Sequence, residues 1–221
     1  MAAASPGLAA EAQGVRAPVR LPAQTLAYGT CCMPESGEAM PDITAIEVRD
    51  AVLPRDGEAV RRLWLDYLTW GNDEMQTRHG VHPHSPREAV EADMRSIAKF
   101  QPPDGRLVLA FRGEEACGVG CLRRIGDHTA EIKRMYVDPT LRRAGAGRAI
   151  LEHLLAAAEA AGYTLVRLDS PTFMTAAHAL YRSHGFVDIE PYIESEIPDE
   201  FKPYLIFMER SLVRSTPAEP R

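Results

Sequence analysis

Two glycines stand among arginines in the segment Arg142–Arg148, which has the sequence Arg-Arg-Ala-Gly-Ala-Gly-Arg. Gly145 and Gly147 lack a Cβ atom, so the backbone can bend tightly here and bring its N–H groups close to an anion. Leucines repeat on one face of residues 145–161, which predicts a helix whose first turn offers unpaired donors and a positive dipole end. The segment therefore predicts a phosphate-binding loop; the alternative is a tight connection with solvated arginines.

Spacing excludes two other kinds of phosphate loop. The G-x-x-x-x-G-K-[ST] pattern of P-loop NTPases is absent from the sequence. A dinucleotide-binding fingerprint needs a third small residue after the glycine pair, but Ile150 occupies that position.

Periodicity predicts the elements that must position this loop. Alternating or continuous apolar runs predict strands near residues 46–48, 107–111, 116–122, 130–137, 164–168, 187–193 and 204–208. Helical spacing predicts helices near residues 60–68, from 85 onward, 145–161 and 176–184. Ser85, Pro86 and Glu88 form the N-cap, first-turn proline and capping-box glutamate of the second helix. The order β-α-α-β-β-β-α-β-α-β-β predicts an α/β (α+β) fold, a mixed sheet with helices packed on its faces.

The 221 residues suffice for one ordinary domain, which we expect over residues 43–212. Residues 1–42 are rich in Ala, Pro and Gly and show no sustained periodicity. They predict a disordered tail; a translation start at Met40 and a weak transit peptide are the alternatives. Residues 213–221 are expected to form a second disordered tail.

Composition restricts the partners and the compartment. A net charge of −6 argues against general nucleic-acid binding, which favours a basic surface. No segment approaches the roughly 18–20 apolar residues of a membrane span, so we expect a cytoplasmic protein without membrane contact. The cysteine spacing fits neither a zinc knuckle nor a disulfide framework, which predicts reduced thiols at Cys31, Cys32, Cys117 and Cys121. For the oligomeric state, a homodimer is kept as an alternative to a monomer.

Three motifs occur in order around the predicted loop. The loop itself contains Arg142-x-x-Gly145-x-Gly147, and the strand over residues 131–137 precedes it and ends at Asp138-Pro139. Residues 177–186 follow with the sequence Ala-His-Ala-Leu-Tyr-Arg-Ser-His-Gly-Phe. These motifs resemble the signature loop, the fourth strand and the A-x-x-L-Y-x-x-x-G-F element of the GNAT superfamily, the GCN-type N-acetyltransferases. The resemblance covers residues 43–212 and implies a mostly antiparallel sheet that is splayed between strands 4 and 5, with helices on both faces.

The resemblance implies an acetyl-CoA-dependent N-acyltransferase, with acetyl-CoA as co-substrate and no metal. It places the CoA pyrophosphate on the loop residues Arg142, Arg143, Ala144, Gly145, Ala146, Gly147 and Arg148. The pantetheine arm would pair as an added strand with the main chain of Met135, Tyr136 and Val137. Ala177 is small enough to let the cofactor pass. Met174 departs from the asparagine of many relatives, so one polar contact is missing or is replaced by Thr172 or Thr175.

Two residues are candidates for proton transfer. Tyr181 occupies the motif position of the family's general acid, which protonates the departing thiolate. Its alternative role is to cover the core beside Leu180 and Phe186. Glu131 lies on the strand that faces the cleft and is the candidate general base. Its alternative role is to form an ion pair with Lys133, Arg134 or Arg123.

The expected acceptor is a primary amine of a small molecule, which attacks directly in a ternary complex. A protein or peptide acceptor and a non-catalytic CoA sensor are the alternatives. In this fold the acceptor usually contacts two loops, here Trp70–Pro86 and Tyr192–Tyr204. Acidic residues in and beside the second loop favour a cationic acceptor, and the alternative is a solvated loop. These residues are Glu190, Glu194, Glu196, Asp199 and Glu200. The first loop contains a group of acidic and histidine residues, Asp73, Glu74, His79, His82 and His84. We expect a solvated loop here, and a metal site is the alternative.

Overall fold

A computed structural model describes residues 45–83, 85–141 and 144–213. Within these ranges, strands and α-helices follow the predicted order: β1 (Ile46–Asp50), α1 (Gly57–His79), α2 (Pro86–Arg95), β2 (Arg106–Arg112), β3 (Glu115–Arg124), β4 (Thr129–Val137), α3 (Ala146–Ala160), β5 (Leu165–Pro171), α4 (Thr175–Ser183), β6 (Val187–Ile189) and β7 (Leu205–Ser211). The tails expected at residues 1–42 and 213–221 lie outside the described residues, apart from Val213.

The strands form one mixed sheet in the order β1-β2-β3-β4-β5-β7-β6. Neighbouring strands are antiparallel except β4 and β5, which are parallel. Pairing between β4 and β5 ends at Ile132 and Leu168, although both strands continue beyond these residues. The predicted fold class and the splay between strands 4 and 5 are therefore confirmed.

Helices cover both faces of the sheet, as predicted. On one face, α3 contributes Ile150 and Leu154 to a buried cluster that also contains Val166 of β5. On the other face, Leu63 and Trp64 of α1 are fully buried. Each such aliphatic or aromatic side chain contributes roughly 1.5–3 kcal/mol by leaving water. We call these the α3 face and the α1 face.

The structure corrects the predicted end of the first helix. α1 continues to His79, so the predicted loop Trp70–Pro86 is reduced to residues 80–85. Asn72 and Met75 are buried and extend the helical spacing beyond Leu68, and this burial outweighs the weak helix propensity of Gly71. The true stop is Gly80, whose φ of 70° suits the C-cap of a helix. No helix in the described ranges is long and apolar enough to cross a membrane.

Candidate active site

A bulge in β4 lies where the splay begins. Cys121 pairs with Lys133 and Val119 pairs with Tyr136, so three steps along β4 oppose two steps along β3. Arg134 takes up the extra residue with a φ of 54°, a left-handed conformation that costs an L-residue roughly 1–2 kcal/mol. A bulge bends its strand, so β4 leaves the direction of β5 at this point.

The residues expected to bind pantetheine follow the bulge. Met135 and Val137 pack against the α3-face cluster, whereas Tyr136 belongs to the α1-face cluster. All three lie beyond the last β4–β5 pair, Ile132 with Leu168. Their main chain therefore follows the edge of β4 that β5 leaves open.

The predicted phosphate loop follows β4 in the chain and includes the start of α3. Gly145 is the N-cap of α3 with a φ of 87°. A Cβ built on Gly147 would lie 3.7 Å from Leu180 Cδ2, 3.8 Å from Val137 Cγ2 and 3.9 Å from Met135 Cε. Gly147 thus lies beside both β4 and α4, and the first turn of α3 presents its donors next to the open edge.

Other residues of the loop differ in their surroundings. Ala146 is buried in the α3-face core, so its side chain helps to hold the helix in place. Arg148 is 61% exposed and lies 3.9 Å from Glu152, and Ala144 is exposed. Arg142 and Arg143 lie outside the described residues.

Tyr181 of α4 lies close to the open edge. Its hydroxyl is 3.8 Å from the Sδ atom of Met135, and its ring is 5.8 Å from the ring of Phe186. Tyr181 thus packs on the core and also directs its hydroxyl toward β4. Burial raises the pKa of Tyr181, so the hydroxyl keeps its proton at neutral pH. Ala177 is half-buried one helical turn earlier, and His184 caps the helix end by contacting the Leu180 carbonyl at 2.9 Å.

Glu131 is fully buried, and both its oxygens have donors. Arg123 Nε donates to Oε2 at 2.6 Å, and the Tyr192 hydroxyl donates to Oε1 at 2.7 Å. Lys133 Nζ lies 3.6 Å from Oε2. The structure thus shows the ion pair that the sequence left as the alternative to a general base. Arg134, another suggested partner, pairs instead with Asp93 of α2.

Asp169 is a cleft residue that the motifs do not indicate. It comes one residue after the last β4–β5 pair, and its Oδ2 lies 3.8 Å from Lys133 Nζ. Among the described residues, this buried oxygen has no hydrogen-bond partner. Burial raises the pKa of Asp169, and Lys133 opposes that shift. The sequence offers one indication, an acidic residue directly after the strand predicted over residues 164–168.

Aromatic side chains line the cleft on the α1 face. The ring of Tyr136 lies 5.8 Å from Tyr67 and 6.5 Å from Trp70, both of α1. Phe173, between β5 and α4, meets Trp70 edge-on at 5.6 Å. The corrected length of α1 brings Trp70 into this aromatic wall, which we define as Tyr67, Trp70, Tyr136 and Phe173.

Much of the predicted acidic loop is engaged within the protein. Glu196 pairs with Arg123 and Lys133, Glu194 lies 3.3 Å from Arg167, and Asp199 lies 2.6 Å from Lys202. The expectation that this run attracts a cationic acceptor is therefore weakened, because its charges are largely neutralised.

The remaining candidates have structural surroundings. Glu74 pairs with Arg78 at 2.7 Å, the His79 ring lies 4.6 Å from Tyr204, and His84 is outside the described residues. Cys117 and Cys121 are buried, and burial raises the pKa of both thiols. A raised pKa leaves little thiolate at neutral pH, which suits neither residue for nucleophilic attack.

Comparisons with known proteins agree with this geometry. The model of the acetyltransferase (GNAT) family matches residues 59–186. The chain is 32% identical over 117 residues to the uncharacterized N-acetyltransferase YedL of Escherichia coli, covering 52% of this chain and 72% of that one. It is 35% identical over 122 residues to the IAA acetyltransferase of Azospirillum brasilense, covering 54% and 74%. The PaiA N-acetyltransferase of Thermoplasma acidophilum, solved with coenzyme A, shares the fold with a TM-score of 0.56 and 17% identity, over 76% of this chain and 99% of that one.

Proposed function

Because this chain belongs to the acetyltransferase (GNAT) family, we propose that it transfers the acetyl group of acetyl-CoA to a primary amine of a small molecule. One observation carries the proposal. The edge of β4 left open by β5 meets the first turn of α3 at Gly147 and the Tyr181 hydroxyl at Met135. An anion site, an unpaired strand edge and a neutral hydroxyl are the three features that an acyl thioester of CoA requires.

The described residues fit acetyl-CoA. Backbone donors from Gly145 to Arg148 would hold the pyrophosphate, since no side chain at Gly147 blocks their approach. The main chain of Met135 to Val137 would pair with the pantetheine arm. Arg142 and Arg143 would add charge, although they lie outside the described residues. When bound, acetyl-CoA supplies an activated acetyl group and a thiol leaving group.

Tyr181 would act as the general acid. Its hydroxyl is protonated at neutral pH and lies 3.8 Å from Met135 on the open edge of β4, so it is the donor placed to protonate the departing sulfur. No cysteine in the described part of the site is exposed, which favours direct attack by the amine over an acetylated enzyme. Trapping an acetyl group on the protein during turnover would contradict direct transfer.

The aromatic wall supports a small acceptor with an apolar or aromatic body. Tyr67 and Trp70 are half-buried beside Tyr136, so they offer flat apolar surface next to the open edge. The relative from A. brasilense is named for acetylation of a small molecule. Competition between small aromatic amines, aliphatic amines and peptides tests this acceptor class, and peptides winning would indicate a protein acceptor instead.

Calorimetric titration with acetyl-CoA tests the cofactor site. We expect the wild type to bind in the micromolar range and Gly147→Asp to abolish binding, because its carboxylate would face the pyrophosphate. Gly126→Asp is the matched control, since it adds the same charge in the turn between β3 and β4. No binding by the wild type would exclude the proposal. Binding without turnover of any amine would indicate a non-catalytic CoA-binding protein.

A further inference from the structure

We propose that Asp169 is the general base that takes a proton from the acceptor amine. This inference rests on the proposed function and gives the reaction its missing proton acceptor. Asp169 and Lys133 each follow the last residue paired between β4 and β5, so both lie where the cleft opens. The Asp169 carboxylate interacts electrostatically with Tyr67 of the aromatic wall and with Tyr181, whose hydroxyl lies beside the open edge of β4.

Hydrogen bonding separates Asp169 from its neighbour Glu131. Glu131 is 0% exposed, and its oxygens accept hydrogen bonds from Arg123 and Tyr192. The Asp169 side chain is 13% exposed, and its Oδ2 has no hydrogen-bond partner among the described residues. Its nearest cation is Lys133 Nζ at 3.8 Å, too far for a hydrogen bond. A buried acceptor without a donor is unfavourable, so this carboxylate is stabilised when it takes up a proton.

Lys133 is shared and does not fully neutralise Asp169. Its ammonium lies 3.6 Å from Glu131 and 3.6 Å from Glu196, as well as 3.8 Å from Asp169. The Lys133 ammonium is therefore shared by three carboxylates. Two of them, Glu131 and Glu196, also pair with Arg123. Lys99 also lies 3.9 Å from Glu196, so Asp169 is the one of these three carboxylates that has a buried oxygen without a hydrogen-bond donor among the described residues.

The groups that interact with Asp169 lie on β3, β4, α1, α4 and the loop before β7. Burial and Glu131 raise its pKa, and Lys133, Arg134 and Arg123 lower it, with a net rise. The neutral hydroxyls that interact with it belong to α1, α4 and the loop before β7, at Tyr67, Tyr181 and Tyr192. A carboxylate with a raised pKa is a stronger base than an exposed one, which suits proton removal near neutral pH.

The proton balance closes with two residues. The acceptor ammonium gives one proton to Asp169, and its nitrogen then bonds to the acetyl carbonyl carbon while the C–S bond breaks. Tyr181 gives its proton to the departing sulfur and recovers one from the acetylated nitrogen. Asp169 releases its proton to solvent. The products are an N-acetyl amide, the CoA thiol and one proton.

Asp169→Asn tests the base directly. Its kcat/KM for the amine should fall on the order of 100-fold, while the Kd for acetyl-CoA stays within about twofold, because only the proton acceptor is lost. Glu209→Gln is the matched control: Glu209 lies on the same β5–β7 ladder and pairs with Arg167. An active wild type with unchanged kcat/KM in Asp169→Asn would overturn this inference alone. An inactive wild type would overturn the proposed function.

A second variant keeps the inference testable should Asp169→Asn not fold. Carboxyl NMR of ¹³C-aspartate-labelled protein without ligands should place the Asp169 titration above the ordinary value of about 3.9. Lys133→Gln should move that titration, and the acidic limb of kcat/KM, to higher pH, since Lys133 lowers the pKa of Asp169. If the acidic limb of kcat/KM stays in place while the carboxyl titration moves, Asp169 is excluded as the base.

Discussion

Asp93 of α2 binds the guanidinium of Arg134, the residue that forms the β4 bulge with a φ of 54°. Its Oδ2 lies 2.8 Å from Arg134 Nε and 2.7 Å from Nη2. This ion pair joins the α1-face helices to the point where β4 turns away from β5. The left-handed strain at Arg134 is thus offset by a partly buried ion pair.

Asp93→Ala should destabilise the protein by about 3 kcal/mol, because it leaves the Arg134 charge buried without its partner. Urea denaturation measures the loss, and Asp66→Asn is the control. Asp66 forms an exposed pair with Arg62 at 3.7 Å, which should contribute less than about 1 kcal/mol. Equal effects of the two variants would show that the Arg134 pair does not support the bulge.

The pH dependence of this pair has a defined sign. Burial alone would raise the pKa of Asp93, but Arg134 and Lys99 lower it below its ordinary value. The pair therefore stabilises the fold above about pH 4 and loses its contribution as pH falls through the lower, folded-state pKa. The acid-induced loss of stability should be smaller in Asp93→Asn than in the wild type.

Tyr181→Phe should lower kcat on the order of 100-fold and leave the Kd for acetyl-CoA nearly unchanged, because only the proton donor is removed. Tyr163→Phe is the control, since its hydroxyl donates at 2.7 Å to the carbonyl of Asp104, which precedes β2, and Tyr163 itself lies between α3 and β5. Stopped-flow kinetics and calorimetry separate the two parameters. Loss of acetyl-CoA binding in Tyr181→Phe would instead make Tyr181 a packing residue.

The two loop glycines should respond differently to alanine. Gly145→Ala places a side chain at a φ of 87° and should destabilise the protein by roughly 1–2 kcal/mol. Gly147→Ala meets only ordinary contacts, 3.7–3.9 Å away, so its stability should stay within about 0.5 kcal/mol of the wild type. Its acetyl-CoA affinity should nevertheless fall, because the new methyl group crowds the first-turn donors. Unchanged affinity in Gly147→Ala would move the pyrophosphate away from this turn.

Local patterns predict most of the fold because they depend on neighbouring residues. The cap at Ser85 is an example: its Oγ accepts from Glu88 N at 3.4 Å, as the capping box predicts. The end of α1 is not set by local patterns, since Trp70 contacts Tyr136 of β4 and Phe173 before α4, and His79 contacts Tyr204 before β7. Gly71 therefore suggests a break that tertiary packing overrides.

The candidate site, like the fold, could be predicted from sequence only in part. The motifs assign Gly147 and Tyr181 to one cofactor site, and the structure brings both residues beside Met135 of β4. Glu131 and Asp169 could not be distinguished from sequence, because both are acidic residues on adjacent strands. Their difference arises from partners distant in sequence: Tyr192 binds Glu131 across 61 residues, whereas Asp169 Oδ2 has no donor in the described ranges.

Asp169→Asn should make the folded protein more stable at neutral pH even as it lowers activity. Because the folded-state pKa of Asp169 is raised, its ionisation opposes folding at pH values above that pKa. The neutral amide removes this opposition, so thermal unfolding at pH 7 should occur at a higher temperature than in the wild type. Below about pH 3 the wild-type carboxyl is protonated in both states, and the difference should disappear. Lower stability of Asp169→Asn at pH 7 would mean that the carboxylate serves mainly as an ion-pair partner of Lys133.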